Sequence, residues 1–222
     1  MTDSDTELVR LIDVIYMECP FFGQRQLRNE LRKLGHQVGR SRVRRLMKIM
    51  GIEAVKSSTP APCREKIKQA LKIIMSGTEK ELNTFIQDFR KEFINMPIEE
   101  IAFPRSCNNL KKYSSSTTIY QKSTPMHVRG ALLYNNLLKK HKLKKYEQVQ
   151  EGDKIKFIKL IEPNSLREDV ISFISVLPPE FDLHKYIDYD GQFDKSFLEP
   201  LRFIVNAIDW SFERQSTLDD FF

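Results

Sequence analysis

Thr78-Glu79-Lys80-Glu81, followed by Leu82, Phe85, Ile86, Phe89 and Phe93, constrains the fold of this chain more tightly than any other stretch. Thr78 as N-cap and Glu81 three residues later form a capping box, each side chain accepting from the other's backbone N–H. The apolar residues then recur at intervals of three and four, one face of a helix of about 79–94 that Pro97 breaks. Such a helix has to bury an aromatic face against other elements. The same spacing predicts helices over 6–18 (Leu8, Leu11, Ile12, Ile15, Tyr16), 24–34 (Leu27, Leu31, Leu34) and Arg40 to about Met50 (Val43, Leu46, Met47). It predicts further helices over about 62–75 (Ile67, Leu71, Ile74), 126–140, and 194–208 (Phe197, Leu198, Leu201, Ile204, Val205, Ile208). Residues 154–161 alternate and 169–177 are β-rich, which together predict a small antiparallel pair. From 104 to 124 the chain is rich in Ser, Thr, Asn and Lys and reads as a long loop. The expected class is α+β, mostly helical.

The net charge is +6, and it is unevenly placed. Between Phe22 and Met50 the basic residues are Arg25, Arg28, Arg32, Lys33, Arg40, Arg42, Arg44, Arg45 and Lys48, against one acid, Glu30. Three short helices, interrupted at Pro20 and Gly35 and ending on an arginine-rich one, make a helix-turn-helix signature. Such a cluster releases counterions from a DNA backbone and gives steeply salt-dependent binding. The plainer alternative is a solvated basic face on a small bundle. Cys19, Cys63 and Cys107 lack a C-x-x-C pair, which argues against a zinc site or disulfide framework and for a reducing compartment. His36, His127, His141 and His184 show no ligand spacing, so no metal site is expected. No apolar run approaches about 18 residues, and a soluble intracellular protein is expected.

Residues 20–47, P-F-F-G-Q-R-Q-L-R-N-E-L-R-K-L-G-H-Q-V-G-R-S-R-V-R-R-L-M, resemble the helix-turn-helix segment of insertion-sequence transposases. The resemblance implies DNA binding through Arg25, Arg40, Arg42, Arg44 and Arg45. It gives no support for transposition chemistry, because nothing after residue 60 resembles that family's catalytic core.

From about residue 48 onward the chain resembles the thumb of family B DNA polymerases of T-even-like bacteriophages. Lys48-Ile49-Met50-Gly51-Ile52-Glu53 and Lys56-Ser57-Ser58-Thr59-Pro60 look like the end of the palm and the start of the thumb. Asn108-Asn109-Leu110-Lys111-Lys112-Tyr113 looks like a loop that meets the primer–template duplex. His127-Val128-Arg129-Gly130-Ala131-Leu132 and Phe197-Leu198-Glu199-Pro200-Leu201 look like thumb helices. The resemblance implies duplex contacts by Lys56, Ser57, Ser58, Thr59, Asn108, Asn109, Lys112 and Tyr113. Their chemistry suits that role: lysines as point charges for phosphates, hydroxyls and amides as neutral donors, none reading sequence. Read as residues alone, Asn108-Asn109 and Ser57-Ser58-Thr59 serve equally as turn formers and caps.

The sequence finishes on Gln215-Ser216-Thr217-Leu218-Asp219-Asp220-Phe221-Phe222, the Q-x-x-L-x-x-F-F pattern of a sliding-clamp-binding peptide. One helical turn puts Leu218 and Phe221 on one side, joined by Phe222, with Gln215 as a hydrogen-bonding partner. A frayed amphipathic tail is the alternative. Phosphoryl transfer by polymerases needs two divalent metal ions, Mg in the parent enzyme, held by acidic palm motifs such as D-T-D. No D-T-D occurs here, and Asp188-Tyr189-Asp190 reads as a polar loop. The expectation is therefore a chain without catalytic residues or cofactor, inactive alone. It would comprise a DNA-binding module over 1–50, a thumb-like domain over 51–210 and a clamp-binding tail over 211–222. Expected partners are double-stranded DNA, a sliding clamp and a separate palm and fingers polypeptide, in the cytoplasm of a bacterial host. The alternative is a sequence-directed DNA-binding protein with the thumb as passenger. At the seam, 46–55, a helix through about Met50 is expected, because a palm-edge strand would have no neighbours.

Overall fold

The computed structural model describes residues 3–52, 54 and 58–212. These fall into two compact units, one drawn from residues 1–57, 63–91 and 197–222, the other from 58–62 and 92–196.

In the first unit, α1 (Asp3–Glu18), α2 (Gln24–Lys33) and α3 (Arg40–Met50) pack on one another. Their shared core is Leu8, Ile12, Leu27, Leu31, Val43, Leu46 and Met47, with Val38 from the connecting turn. Each of these except Val38 lies on a predicted stripe. The α3 helix ends at Met50, as the seam argument expects. Gly51 takes a left-handed φ of 66°, and the Ile52 N–H closes back onto the Met47 carbonyl at 3.0 Å. A Cβ at Gly51 would also lie 2.0 Å from the Phe203 ring. The predicted capping box is present at α5 (Glu79–Ile94): Thr78 N–H donates to Glu81 Oε2 at 2.8 Å, and Glu81 N–H to Thr78 Oγ1 at 3.3 Å. Phe89 of α5 meets Phe197 edge-on, ring centroids 4.8 Å apart. Lys66 of α4 (Ala61–Ser76) lies over the Phe89 ring at 5.0 Å.

The second unit has a one-turn helix α6 (Ile98–Ile101) leading into a three-stranded antiparallel sheet of β1 (Phe103–Ser106), β4 (Lys154–Lys159) and β5 (Val170–Phe173), with β4 central. Ile158 faces Ile171 across the inner pair, and Phe103 faces Phe157 across the outer one. The helix α8 (Met126–Lys140) crosses β5 so closely that a Cβ at Gly130 would lie 2.5 Å from Ser172 Oγ and 2.8 Å from its backbone N. Only glycine fits that crossing.

Leu34, expected on the inward stripe of the second helix, is instead the exposed C-cap of α2. Two larger expectations also fail. The stretch 104–124 is not a long loop. It holds most of β1, a one-turn helix α7 (Leu110–Tyr113), and a hairpin of β2 (Ser114–Ser115) and β3 (Ile119–Tyr120). Pro104 hid β1, yet a proline is tolerated on a strand at the sheet edge. Nor is 188–208 a polar loop followed by one regular helix. Asp188 caps α9 (Tyr189–Phe193), a π-helical turn spans Asp194–Leu198, and α10 (Glu199–Ala207) follows. Pro200 has no N–H for the carbonyl of Ser196, so the ladder widens into i→i+5 bonding just before it.

Candidate nucleic-acid interface

In the first unit, α3 buries Val43, Leu46 and Met47 and turns Ser41, Arg44, Arg45 and Lys48 outward, with Arg40 and Arg25 exposed beside them. The arginines divide into two groups. Asp5, on the first turn of α1, is only 4% exposed and binds both Arg42 and Arg45. Arg42 Nε donates to Asp5 Oδ1 at 2.9 Å, Arg45 Nη2 to Asp5 Oδ2 at 2.7 Å, and Arg42 Nη2 to Ser4 Oγ at 3.0 Å. The hydrogen bonds from Arg45 and Arg42 hold the Asp5 carboxyl well below the ordinary range, at about 2. Arg32 is occupied too, its Nε donating to the Val38 carbonyl at 3.2 Å. Arg25, Arg40, Arg44 and Lys48 form no ion pair among the described residues. Asp5 could not be picked from sequence, because an acid in the first turn of a helix already has a reason to be there in the helix dipole.

In the second unit, Asn108 and Asn109 sit exposed where the chain enters α7. Asn109 is left-handed, φ 65°, and its N–H and that of Leu110 both donate to the Glu151 carboxylate. The neighbouring backbone is laced down as well: Cys107 N–H donates to the Asp153 carbonyl at 2.8 Å, and Gly152 N–H to the Cys107 carbonyl at 2.7 Å. Burial, with Glu151 and Asp153 nearby, pushes the Cys107 thiol up to about 11. The Asn109 and Leu110 N–H groups are thus spent on Glu151, while both asparagine residues are exposed. Lys112 is exposed, its Nζ 5.4 Å from the Tyr113 ring. The β2–β3 hairpin beside them is pinned by Tyr120, whose hydroxyl donates to Glu168 Oε1 at 2.5 Å. Arg129 of α8 bonds Asp169 and lies over the Tyr120 ring at 5.8 Å. Lys111, Ser116, Thr117, Thr118 and Lys122 of the same stretch are exposed as well.

The other candidates are placed differently. Ser58 is half-buried and Thr59 is 4% exposed, so in this structure Thr59 presents no hydroxyl to a surface ligand. Lys56, Ser57 and the tail residues Gln215, Leu218, Phe221 and Phe222 lie outside the described residues.

Comparison with known proteins finds two kinds of likeness. Residues 3–57 match the HTH-like domain family. The chain is 32% identical over 181 residues to the DNA-directed DNA polymerase of Escherichia phage RB69, and 28% over 180 residues to that of Enterobacteria phage T4. Most of this chain is similar to a segment of phage DNA polymerases. Each match covers 79% of the chain but 20% of the polymerase, so the chain spans about one fifth of the length of these relatives.

Asp188 Oδ1 accepts the Gly191 N–H at 2.8 Å as the cap of α9, and Asp190 is exposed on the first turn of that helix. Among the described residues, no three or more His, Cys, Asp and Glu gather as a metal-binding group. Nor is any helix of the described residues long and apolar enough to cross a membrane.

Proposed function

We propose that this chain is a non-catalytic DNA-holding module of family B polymerase origin. Its thumb-like region grips primer–template duplex, and its C-terminal Q-x-x-L-x-x-F-F peptide docks on a sliding clamp during replication in the bacterial host cytoplasm. The observation that carries the reading is the relation of four fifths of the chain to two phage DNA polymerases. The exposed Asn108, Asn109 and Lys112, held on a braced loop, supply donors and charge suited to phosphate and sugar oxygens without base reading. Catalysis would come from a separate palm and fingers polypeptide with its two divalent ions.

Fluorescence anisotropy with a labelled primer–template tests the grip. The expected result is affinity that falls log-linearly with salt and weakens in Asn109→Ala with Lys112→Ala. Salt-independent binding, or none, sinks the proposal. Primer extension by the purified chain alone should yield no product.

The HTH-like match and the free cations of α3 favour a second reading, sequence-directed binding by the N-terminal module. It requires a preferred DNA sequence that is lost on Arg44→Ala with Lys48→Ala. Equal affinity for scrambled duplexes rejects it.

A further inference from the structure

The turn that closes α8 carries Lys139, Lys140, Lys142, Lys144 and Lys145 within seven residues, and the functional reading above uses none of them. The helix ends in a Schellman arrangement: Leu143 N–H donates to the Leu138 carbonyl at 2.9 Å, and Lys142 N–H to the Lys139 carbonyl at 3.2 Å. That motif puts Lys142 at φ 55°, a left-handed position that glycine ordinarily fills because a Cβ is strained there. Charge is therefore kept at a position where it costs fold stability. The helix dipole accounts for Lys139 and Lys140 in the last turn, but its effect fades beyond it, at Lys142 and Lys144.

Lys145 is already neutralised by Glu180 at 2.5 Å and lies over the Tyr146 ring, while Tyr146 O–H donates to Glu180 at 3.1 Å. These contacts anchor the far side of the turn. Lys139, Lys140, Lys142 and Lys144 stay exposed and form no ion pair among the described residues. The following strap runs back past α8 to the asparagine loop of the same unit. Val149 exchanges two 2.8 Å hydrogen bonds with the Asn135 amide, and Glu151 then holds Asn109 and Leu110. One continuous brace thus links the lysine turn to the loop already assigned to duplex.

We propose that this turn is a second phosphate-binding site, in which Lys139, Lys140, Lys142 and Lys144 contact the phosphodiester backbone of duplex DNA. The inference rests on the duplex-gripping reading above. Four ammonium groups on flexible stems suit backbone phosphates rather than base edges. A protein partner would need an apolar centre to its interface, and no large hydrophobic residue is exposed between 139 and 149.

The test measures anisotropy of a short labelled duplex bound by the full chain across a salt series, together with the melting midpoint of each variant. Lys142→Gly separates the two roles by sign. It should raise the midpoint by relieving the left-handed strain, yet lower the salt slope by about one. Replacing Lys139, Lys140, Lys142 and Lys144 together with Gln should lower the slope by roughly three to four and weaken binding about tenfold or more at fixed salt. A stabilised Lys142→Gly with unchanged slope, or a folded quadruple variant that binds like wild type, overturns this site alone. Wild-type protein that fails to bind duplex at low salt overturns the proposed function and this inference with it.

Discussion

Asp5 shows how much one carboxylate decides in the N-terminal module. Arg42 and Arg45 look like duplex contacts in the sequence, as outward-facing cations on the third helix. The structure gives both a partner within 2.9 Å, on the first turn of a different helix. Asp5 with these two arginines is a strap between α1 and α3. Alanine at Arg42 and Arg45 should therefore lower the melting midpoint more than it lowers the salt slope of DNA binding. Alanine at Arg44 and Lys48 should do the reverse, and measuring both quantities on both pairs checks the division. The acid limb of stability follows from the same group. Because the folded Asp5 titrates near 2, below its unfolded value, its contribution is present above about pH 4 and is lost as pH falls toward 2. Thermal melts of Asp5→Asn should lose that part of the pH dependence. If the variant falls with pH as steeply as wild type over this window, the strap contributes nothing.

Element by element, the long helices were legible because each carries its own code, whereas the short α7 and α9 were not. The Thr78–Glu81 box and the stripe over 79–94 need no distant partner to be read. What escaped depends on neighbours. Strand β1, Phe103-Pro104-Arg105-Ser106, has no alternation and contains a proline, and only β4 beside it makes it a strand. The π turn before Pro200 and the Glu151 brace on Asn109 are likewise invisible without the fold. The sequence reading placed α8 over 126–140 but gave no sign of how near β5 it passes. That approach makes its own prediction. A methyl at Gly130 would meet the Ser172 backbone N at 2.8 Å, a group that cannot swing aside as a side chain can. Gly130→Ala should cost about 1–3 kcal/mol in chemical denaturation, typical of overpacking. Unchanged stability would mean that α8 is free to ride off the sheet.

At the scale of the whole molecule, the proposed function joins two attachments with different physics, and salt separates them. The duplex grip is counterion release, so its affinity drops steeply between low and physiological salt. In that proposal the tail docks mainly by burying the apolar side chains of Leu218, Phe221 and Phe222, and burial of apolar surface responds far less to salt than counterion release does. If the tail tethers the chain to a clamp as proposed, the grip acts at an effective concentration set by that tether, and weak phosphate contacts then suffice. The expected outcome is conditional on salt. At low salt, Phe221→Ala with Phe222→Ala should bind linear duplex as wild type does. At physiological salt, on circular DNA loaded with clamp, the same variant should wash off while wild type stays. The lysine-turn variant should show the converse, weak on bare duplex and retained through the clamp. Retention measured on clamp-loaded and clamp-free circles for both variants decides it: a tail variant that stays bound at physiological salt shows that grip alone holds the chain, and the tail then has no part in docking.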